Sequence, residues 1–238
     1  MRTRIKICGL TREQDVAAAV AAGADAVGFV LYPKSPRHVS AARAAELAQA
    51  LPPLVAPVLL FVNAAAAEVD AALHLLPHAL LQFHGDETPA QCQQLSRQGR
   101  HPYWRAARIP ATSQPGQARF DLLEFALHFS QAQALLLDAH VQGYGGGGKT
   151  FDWSSLPANV AAHLVLSGGL TPANVGDGIR CLRGRGRSLA VDVSSGVEAE
   201  GPDGRPLKGI KDAQKIARFI AAVRAADQAN YQDRKSVV

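Results

Sequence analysis

The chain has 238 residues, of which 47% are hydrophobic and 19% are charged, a balance typical of a globular protein with a sizeable core. Its 25 Lys and Arg against 20 Asp and Glu give a net charge of +5, which suits an anionic ligand and does not exclude a nucleic acid. Cys8, Cys92 and Cys181 are scattered without CxxC spacing, which argues against a disulfide framework or a zinc site. No apolar run approaches the roughly 18 residues of a transmembrane helix, and no charged-then-apolar leader precedes Ile5. We therefore expect a cytoplasmic protein.

Short segments rich in β-branched and aliphatic residues alternate with alanine-rich segments, a pattern that predicts strands alternating with helices. In chain order, the predicted strands are residues 5–8, 26–31, 55–62, 79–83, 103–109, 134–138, 164–166 and 189–193. The predicted helices are residues 12–22, 41–51, 65–76, 89–98, 118–129, 172–181 and 211–226. At the start of the first helix, Thr11 and Gln14 have the spacing of a capping box.

The number of these strand units predicts the fold class. Strands that are each followed by a helix, or by a loop in its place, imply right-handed crossovers and a parallel sheet. Eight units in about 240 residues favour one closed barrel, whereas five or six would favour an open doubly wound sheet. We therefore predict an α/β protein with a single (β/α)8 TIM barrel over residues 1–226. The polar segment 227–238 is expected to be a disordered C-terminal tail.

Residues that follow the strands of such a barrel meet at one end, however far apart they lie in sequence. Cys8 ends the first strand, and Gly9 permits a tight turn directly after it. The other residues expected there are the segments 32–37 and 84–86, Asp138, and the segments 167–171 and 194–196. This set contains a thiol, a guanidinium, a carboxyl and two glycine-bearing turns, so it predicts a chemical site. Free cysteine is also common as an inert buried residue, and the position of Cys8 alone leaves both roles open.

Two glycine-bearing turns follow the last two strands. Gly168-Gly169 and Ser195-Gly196 expose backbone N–H groups next to helix starts, an arrangement that binds anions. The loops after strands seven and eight are where barrels commonly hold phosphate. Each glycine pair also fits a simple turn, but two pairs on adjacent strands favour a phosphorylated ligand.

The glycine-rich segment 143–150 matches the P-loop pattern GxxxxGK[ST]. A functional P-loop opens a regular helix, but Pro157 leaves little room for one after Thr150. The preceding strand is also expected to end at Asp138, several residues before the glycines. We therefore interpret this segment as a mobile lid over the site and not as a nucleotide-hydrolysis motif.

A basic cluster interleaved with glycines precedes strand eight, in the manner of a nucleic-acid patch. It consists of Arg180, Arg183, Arg185 and Arg187. This position, however, belongs to the end of the barrel opposite the predicted site. A solvated loop is the favoured interpretation, and no nucleic-acid partner is predicted.

Seven motifs occur in order: Lys6-Ile7-Cys8-Gly9, Ser35-Pro36-Arg37, Gln82-Phe83-His84-Gly85, Leu137-Asp138, residues 148–153, Ser167-Gly168-Gly169-Leu170-Thr171-Pro172 and residues 191–198. In this combination, the chain from Lys6 to about Phe219 resembles the phosphoribosylanthranilate isomerases, barrel enzymes of tryptophan biosynthesis. Gly147 departs from the Thr or Ser that is usual in the family. Residues 199–207 extend a segment that is often shorter in the family, and we expect them to form a longer and more mobile loop.

The resemblance implies an Amadori rearrangement of N-(5-phosphoribosyl)anthranilate to 1-(2-carboxyphenylamino)-1-deoxyribulose 5-phosphate, without a cofactor or metal. By the family pattern, Asp138 is the general acid and Cys8 is the general base. Arg37 is expected to pair with the anthranilate carboxylate, for which a two-pronged donor is well shaped.

Further binding roles follow from the same resemblance. The phosphate is expected on Gly168-Gly169 and on Ser195-Gly196. His84 is expected at the mouth, where it would contact the aromatic ring or donate a hydrogen bond. A turn histidine that caps Asp86 is an equally good interpretation of His84. No membrane and no obligate protein partner is inferred.

The proposed base must lose its proton, and the proposed acid must hold one. Strand alternation puts Lys6 and Cys8 on the same face, and Asp192 has the corresponding place on strand eight, next to strand one in a closed barrel. We predict that Lys6 and Asp192 form a buried ion pair under the site, with Lys6 lowering the pKa of Cys8. The alternative is that Lys6 is an exposed strand residue.

Three functions remain open at this point. An isomerase of this family needs both Cys8 and Asp138. A related phosphoribosyl-sugar isomerase barrel would keep the phosphate turns without needing Arg37 for a carboxylate. A non-catalytic anion-binding or nucleic-acid-binding protein would tolerate loss of Cys8 and Asp138, and its binding would weaken steeply as salt rises.

Overall fold

The computed structural model describes residues 2–110, 120–140 and 150–235, and the statements below concern these residues. Most of the predicted lid, residues 143–149 with Gly147, lies outside them. The C-terminal residues 236–238 also lie outside them.

The eight predicted strands are confirmed, and they form one closed parallel barrel in chain order. They are β1 (Arg4–Cys8), β2 (Ala26–Val30), β3 (Ala56–Phe61), β4 (Leu80–Phe83), β5 (Tyr103–Pro110), β6 (Ala134–His140), β7 (His163–Leu166) and β8 (Ser188–Val193). The barrel closes where β8 pairs with β1, a register that puts Lys6 beside Asp192. On the other side of β1, Cys8 lies beside Gly28 of β2.

Helices on the outside of the barrel connect the strands. They are α1 (Glu13–Ala22), α2 (Ala41–Ala48), α3 (Ala66–Leu75), α4 (Pro89–Leu95), α5 (Leu122–His128), α6 (Val175–Leu182) and α7 (Ala213–Lys235). Local chemistry sets several of their ends. Gly23 takes the left-handed conformation (φ 95°) that terminates α1. Thr88 and Gln91 form a capping box at the start of α4, where Pro89 occupies the first turn.

The capping box predicted for α1 is wrong. Arg12 is the N-cap residue and makes no side-chain capping bond. The Thr11 hydroxyl instead donates to the carbonyl of Gly209, 2.7 Å away. The Thr11 hydroxyl therefore bonds to a residue distant in sequence and not to the first turn of α1, as the local pattern predicted.

No α-helix follows Thr150 in the described part of the crossover between β6 and β7. A single 3-10 turn, Trp153–Ser155, stands in its place. This agrees with the interpretation that the glycine-rich segment is not a P-loop, because a P-loop needs a regular helix directly after it.

The segment between β8 and α7 contains an antiparallel hairpin, whereas the sequence pattern predicts a longer loop over residues 199–207. Its strands are β9 (Glu198–Glu200) and β10 (Pro206–Lys211). Lys211 consequently ends a strand, whereas the sequence pattern placed it at the start of the last helix. The predicted end of that helix at Ala226 is also wrong, because α7 continues to Lys235.

The largest apolar core lies between the barrel and its helices. It includes the outward-facing residues of the strands, such as Phe29, Phe61 and Phe83, each at most 2% exposed. Burial of one such side chain contributes about 1.5–3 kcal/mol. The inside of the barrel is partly polar, because Lys6, Gln82 and Asp192 are buried there. The polar interior lies directly beneath the carboxyl ends of the strands.

Candidate active site

A cavity at the carboxyl ends of the barrel strands brings together nearly all of the predicted site residues. Those that line it are Cys8, Arg37, His84, Asp138, Gly168, Gly169 and Ser195. Gly196 does not line it. The close packing of Gly196 explains its identity, because a Cβ there would lie 1.9 Å from the carbonyl oxygen of Leu170. Gly196 thus lets the loop after β8 approach the loop after β7.

Cys8 points into this cavity above a buried ion pair. Lys6 is 1% exposed, and its Nζ lies 2.7 Å from Oδ1 of Asp192, so the predicted pair is confirmed. The second oxygen of Asp192 accepts a hydrogen bond from the Ser167 hydroxyl at 3.0 Å, a contact that the sequence did not suggest. The positive charge of Lys6 favours the thiolate form of Cys8.

As predicted, Lys6 acts to lower the pKa of the Cys8 thiol. Burial raises that pKa by more, so the net value lies above the usual 9.0. Asp192 adds to the rise, whereas Lys211 opposes it. The free site therefore holds Cys8 mainly as a thiol at neutral pH.

The absence of a side chain at Gly28 leaves room for the Cys8 sulfur and the end of the Lys6 side chain. A Cβ on Gly28 would lie 2.7 Å from Sγ of Cys8 and 2.9 Å from Cε of Lys6. Any larger residue at this register position displaces one of the two groups. A glycine inside a strand usually marks such a close approach.

Asp138 is fixed by a histidine that in turn contacts an amide. Nε2 of His84 lies 3.0 Å from Oδ2 of Asp138, and Nδ1 lies 3.0 Å from the amide nitrogen of Gln82. With the Gln82 amide in this orientation, its nitrogen donates to Nδ1, and the ring hydrogen resides on Nε2, which donates to Asp138. Within the described residues, Oδ1 of Asp138 makes no hydrogen bond. His84 thus contacts Asp138 and does not cap Asp86.

Arg37 lies in the wall of the cavity and is 7% exposed. Its Nε and Nη2 donate to the two carboxylate oxygens of Glu198 at 2.6 and 2.8 Å. Within the described residues, the remaining nitrogen, Nη1, makes no hydrogen bond. The sequence pattern predicted the position of Arg37 but did not reveal this partner.

The two glycine-bearing turns have the geometry of an anion site. Gly168 and Gly169 both have positive φ values, 75° and 64°, and their backbone N–H groups make no hydrogen bond within the described residues. A Cβ on Gly168 would lie 2.8 Å from Oδ1 of Asp138. Beside them, Ser195 begins a 3-10 turn, Ser195–Val197, with its N-terminus at the cavity. Free N–H groups at such a turn favour a phosphate.

Sequence reasoning missed the hairpin residues behind Arg37. Glu198 is 1% exposed and Lys211 is 4% exposed, and Nζ of Lys211 lies 3.4 Å from Oε1 of Glu198. The sequence does contain a signal for this hairpin, because Pro202-Asp203-Gly204 is a typical turn sequence. It was interpreted as part of a mobile insertion.

Three of the four arginines before β8 make contacts with neighbouring groups. Arg183 pairs with Asp227 at 2.7 Å, and Arg185 donates to the carbonyl of Cys181 at 2.8 Å. Arg180 pairs with Asp177 within α6. Arg183 thus connects the loop to α7, and Arg185 connects it to the end of α6.

The described ranges of the chain contain no cluster of three or more His, Cys, Asp or Glu arranged to hold a metal ion. None of their helices combines the length and apolarity needed to cross a membrane.

The sequence and the fold were compared with known proteins. Residues 5–222 match the family model described as N-(5'phosphoribosyl)anthranilate (PRA) isomerase. Among curated proteins named N-(5'-phosphoribosyl)anthranilate isomerase, that of Methylibium petroleiphilum is 62% identical over 95% of this chain and 96% of its own length. That of Leptothrix cholodnii is 59% identical over 95% of this chain and 93% of its own.

Solved structures agree with these sequence relatives. Phosphoribosyl anthranilate isomerase from Thermotoga maritima is 37% identical, with a TM-score of 0.77 over 94% of this chain and 99% of its own. A phosphoribosyl anthranilate isomerase in complex with reduced 1-(o-carboxyphenylamino)-1-deoxyribulose 5-phosphate is 33% identical, with a TM-score of 0.71 over the same shares. The matches extend over nearly the whole chain and include the strands that form the cavity. This protein therefore belongs to the N-(5'-phosphoribosyl)anthranilate isomerase family.

Proposed function

We propose that this protein catalyses the Amadori rearrangement of N-(5-phosphoribosyl)anthranilate in tryptophan biosynthesis, with Cys8 as general base and Asp138 as general acid. One observation carries the assignment of roles. Cys8 from β1 and Asp138 from β6 line a single cavity that also contains a guanidinium and a glycine-rich anion site. A thiol and a carboxyl are sufficient, because the reaction proceeds by proton transfers, and the oxidation of C2 is balanced by the reduction of C1 without an external oxidant or reductant.

The substrate is held at both ends. Its phosphate binds the N–H groups of Gly168-Gly169 and the turn that begins at Ser195. Its carboxylate binds Arg37. The sugar then lies between Asp138 and Cys8. Holding it in this position lowers the entropic part of the activation barrier. A small phosphorylated substrate and a cytoplasmic location are part of this proposal.

The acid acts first. Asp138 donates the proton on Oδ1 to the ring oxygen of the ribose, the bond between C1 and that oxygen breaks, and the nitrogen lone pair forms an iminium with C1. Asp138 is left as a carboxylate. The Nε2–H of His84, 3.0 Å from Oδ2, stabilises the charge that appears at that moment.

The base acts on the iminium. Cys8 takes the proton from C2, and the electrons of the C2–H bond neutralise the iminium and give an enolamine. The enolamine becomes the ketone when C1 gains a proton and the C2 hydroxyl loses one. As a thiolate, Cys8 is stabilised by the positive charge of Lys6, which is itself held by Asp192.

The test is the decay of substrate fluorescence on addition of purified protein. We expect Cys8→Ser and Asp138→Asn each to lower the rate by more than about a hundredfold, the size of a typical acid-base contribution. Cys92→Ser is the matched control, because Cys92 is buried in α4 outside the cavity. Turnover of an aminoimidazole substrate in place of the anthranilate would favour the related phosphoribosyl-sugar isomerase. Full activity of both variants would refute the assigned roles.

A further inference from the structure

We propose that Glu198 and Lys211, from the β9–β10 hairpin, are positioning residues that aim Arg37 at the substrate carboxylate and set the charge it presents. The inference rests on the role proposed above for Arg37. It assigns to the hairpin a part in substrate discrimination. Neither residue lines the cavity, so each acts through Arg37.

Glu198 makes more contacts than a simple ion pair requires. Its Oε1 accepts from Nε of Arg37 at 2.6 Å, from the backbone N–H of Gly209 at 2.8 Å and from Nζ of Lys211 at 3.4 Å. Its Oε2 accepts from Nη2 of Arg37 at 2.8 Å. Burial raises the pKa of Glu198, but these donors outweigh burial and lower it overall. The carboxylate is therefore a fixed anion with a single orientation.

This anion determines which edge of Arg37 remains available. A guanidinium presents donors along several edges, and a carboxylate takes one edge through two parallel bonds. Glu198 occupies the edge formed by Nε and Nη2, so the edge formed by Nη1 and Nη2 is left for a second carboxylate. An arginine side chain also loses about 2 kcal/mol of rotamer entropy when it is immobilised. Glu198 imposes that ordering before the substrate arrives.

Lys211 restores the positive charge that Glu198 neutralises when it pairs with Arg37. Arg37 and Glu198 alone form a neutral pair, which attracts a third ionic group weakly. The buried ammonium of Lys211 makes the cluster two cations and one anion, a net charge of +1 that complements one carboxylate. Lys211 also donates to the carbonyl of Ser194 at 2.9 Å, which ties the hairpin to the end of β8.

The hairpin is anchored from a second direction, which keeps the cluster in place. Thr11 donates to the carbonyl of Gly209, and Asp15 of α1 accepts from the backbone N–H of Lys211 at 3.1 Å. A purely structural pair between Arg37 and Glu198 would have the same contacts. The two roles differ in whether removing Glu198 harms all substrates equally or only those with a carboxylate.

The experiment compares N-(5-phosphoribosyl)anthranilate with N-(5-phosphoribosyl)aniline, which lacks the carboxylate. The carboxylate preference is the ratio of kcat/KM for the two compounds. We expect Glu198→Gln to reduce this ratio at least about tenfold, mainly through KM for the anthranilate, because a guanidinium that is no longer aligned loses a charge-assisted contact with the carboxylate. Turnover of the aniline should stay within about twofold. Glu200→Gln, an exposed change on the same strand, should leave both values unchanged.

The outcomes separate this inference from the proposed function. If Glu198→Gln slows both compounds by the same factor, the residue is only structural and the inference is overturned while the isomerase assignment stands. If the parent protein has no carboxylate preference and Arg37→Lys changes nothing, the proposed role of Arg37 fails as well. Should Glu198→Gln not fold, Lys211→Met decides the question, since a preference kept at the parental value overturns the proposal.

Discussion

Cys8 combines two opposing influences on one sulfur atom. The positive charge of Lys6 favours the thiolate, whereas burial favours the thiol and is the larger of the two effects. The residue type and the lysine two positions earlier were readable from the sequence. The net sign was not, because it depends on how completely the closed barrel removes water from the sulfur.

This balance predicts the pH dependence of the reactivity of Cys8. An alkylating reagent reacts with the thiolate, and the pKa of Cys8 in the free site is raised above 9.0. We therefore expect the rate of Cys8 alkylation by iodoacetamide to rise about tenfold per pH unit from pH 7 to pH 9. Mass spectrometry of the peptide that contains Cys8 measures the slope, with Cys92→Ser as a control that should give the same profile. An alkylation rate that is already constant above pH 7 would contradict the burial argument.

The β9–β10 hairpin shows what sequence patterns did and did not reveal about an element. The sequence pattern predicted all eight barrel strands. Short β-branched and aliphatic segments alternate with alanine-rich segments, and this alternation follows from burial of the strands beneath the helices. The hairpin was missed because its strands are short and mostly polar, although Pro202-Asp203-Gly204 marks its turn. Its function depends on Glu198 and Lys211 meeting Arg37, a residue 161 positions away from Glu198. No local pattern contains that information.

Lys211 in β10 predicts how the stability of the fold varies with pH. Burial lowers the pKa of Lys211 from 10.5 to about 8, although Glu198 opposes the shift. Between these two values the unfolded chain binds the proton more strongly, so the contribution of Lys211 to the free energy of unfolding rises with pH. The full rise is roughly 3 kcal/mol at about 1.4 kcal/mol per pKa unit.

Urea unfolding of the parent protein and of Lys211→Met between pH 7.5 and pH 10 measures this contribution. The free energy of unfolding of the parent should increase relative to that of Lys211→Met as pH rises. The comparison isolates Lys211 because the other titrating groups are common to both proteins. Lys215→Met is the control, since this lysine is only partly buried and pairs with Glu200 near the surface. A difference that stays constant across the range would show that Lys211 keeps its proton.

At the scale of the whole molecule, the pair of Lys6 and Asp192 lies at the seam where β8 closes the barrel against β1. Removing one partner of a buried pair leaves an uncompensated charge, which typically costs 3–5 kcal/mol. We expect Lys6→Met to lower the free energy of unfolding by about that amount. The double variant Lys6→Met with Asp192→Asn should recover more than half of the loss.

Denaturant unfolding followed by far-UV circular dichroism measures both effects. Arg43→Met serves as the comparison, because Arg43 forms a surface pair with Glu13 whose loss should leave the free energy of unfolding nearly unchanged. Equal stabilities of Lys6→Met and the parent would mean that the seam does not depend on this pair.

The closure of the barrel also determines when a newly made chain first has a site. Cys8 and Arg37 leave the ribosome early, but Asp192, Glu198 and Lys211 follow more than 150 residues later. In a nascent chain that has emerged only as far as β7, the barrel cannot yet close around Cys8. Arg37 then also lacks its partner Glu198. Recognition of the carboxylate thus arises only after nearly the entire polypeptide has been synthesised, and truncated translation products have none.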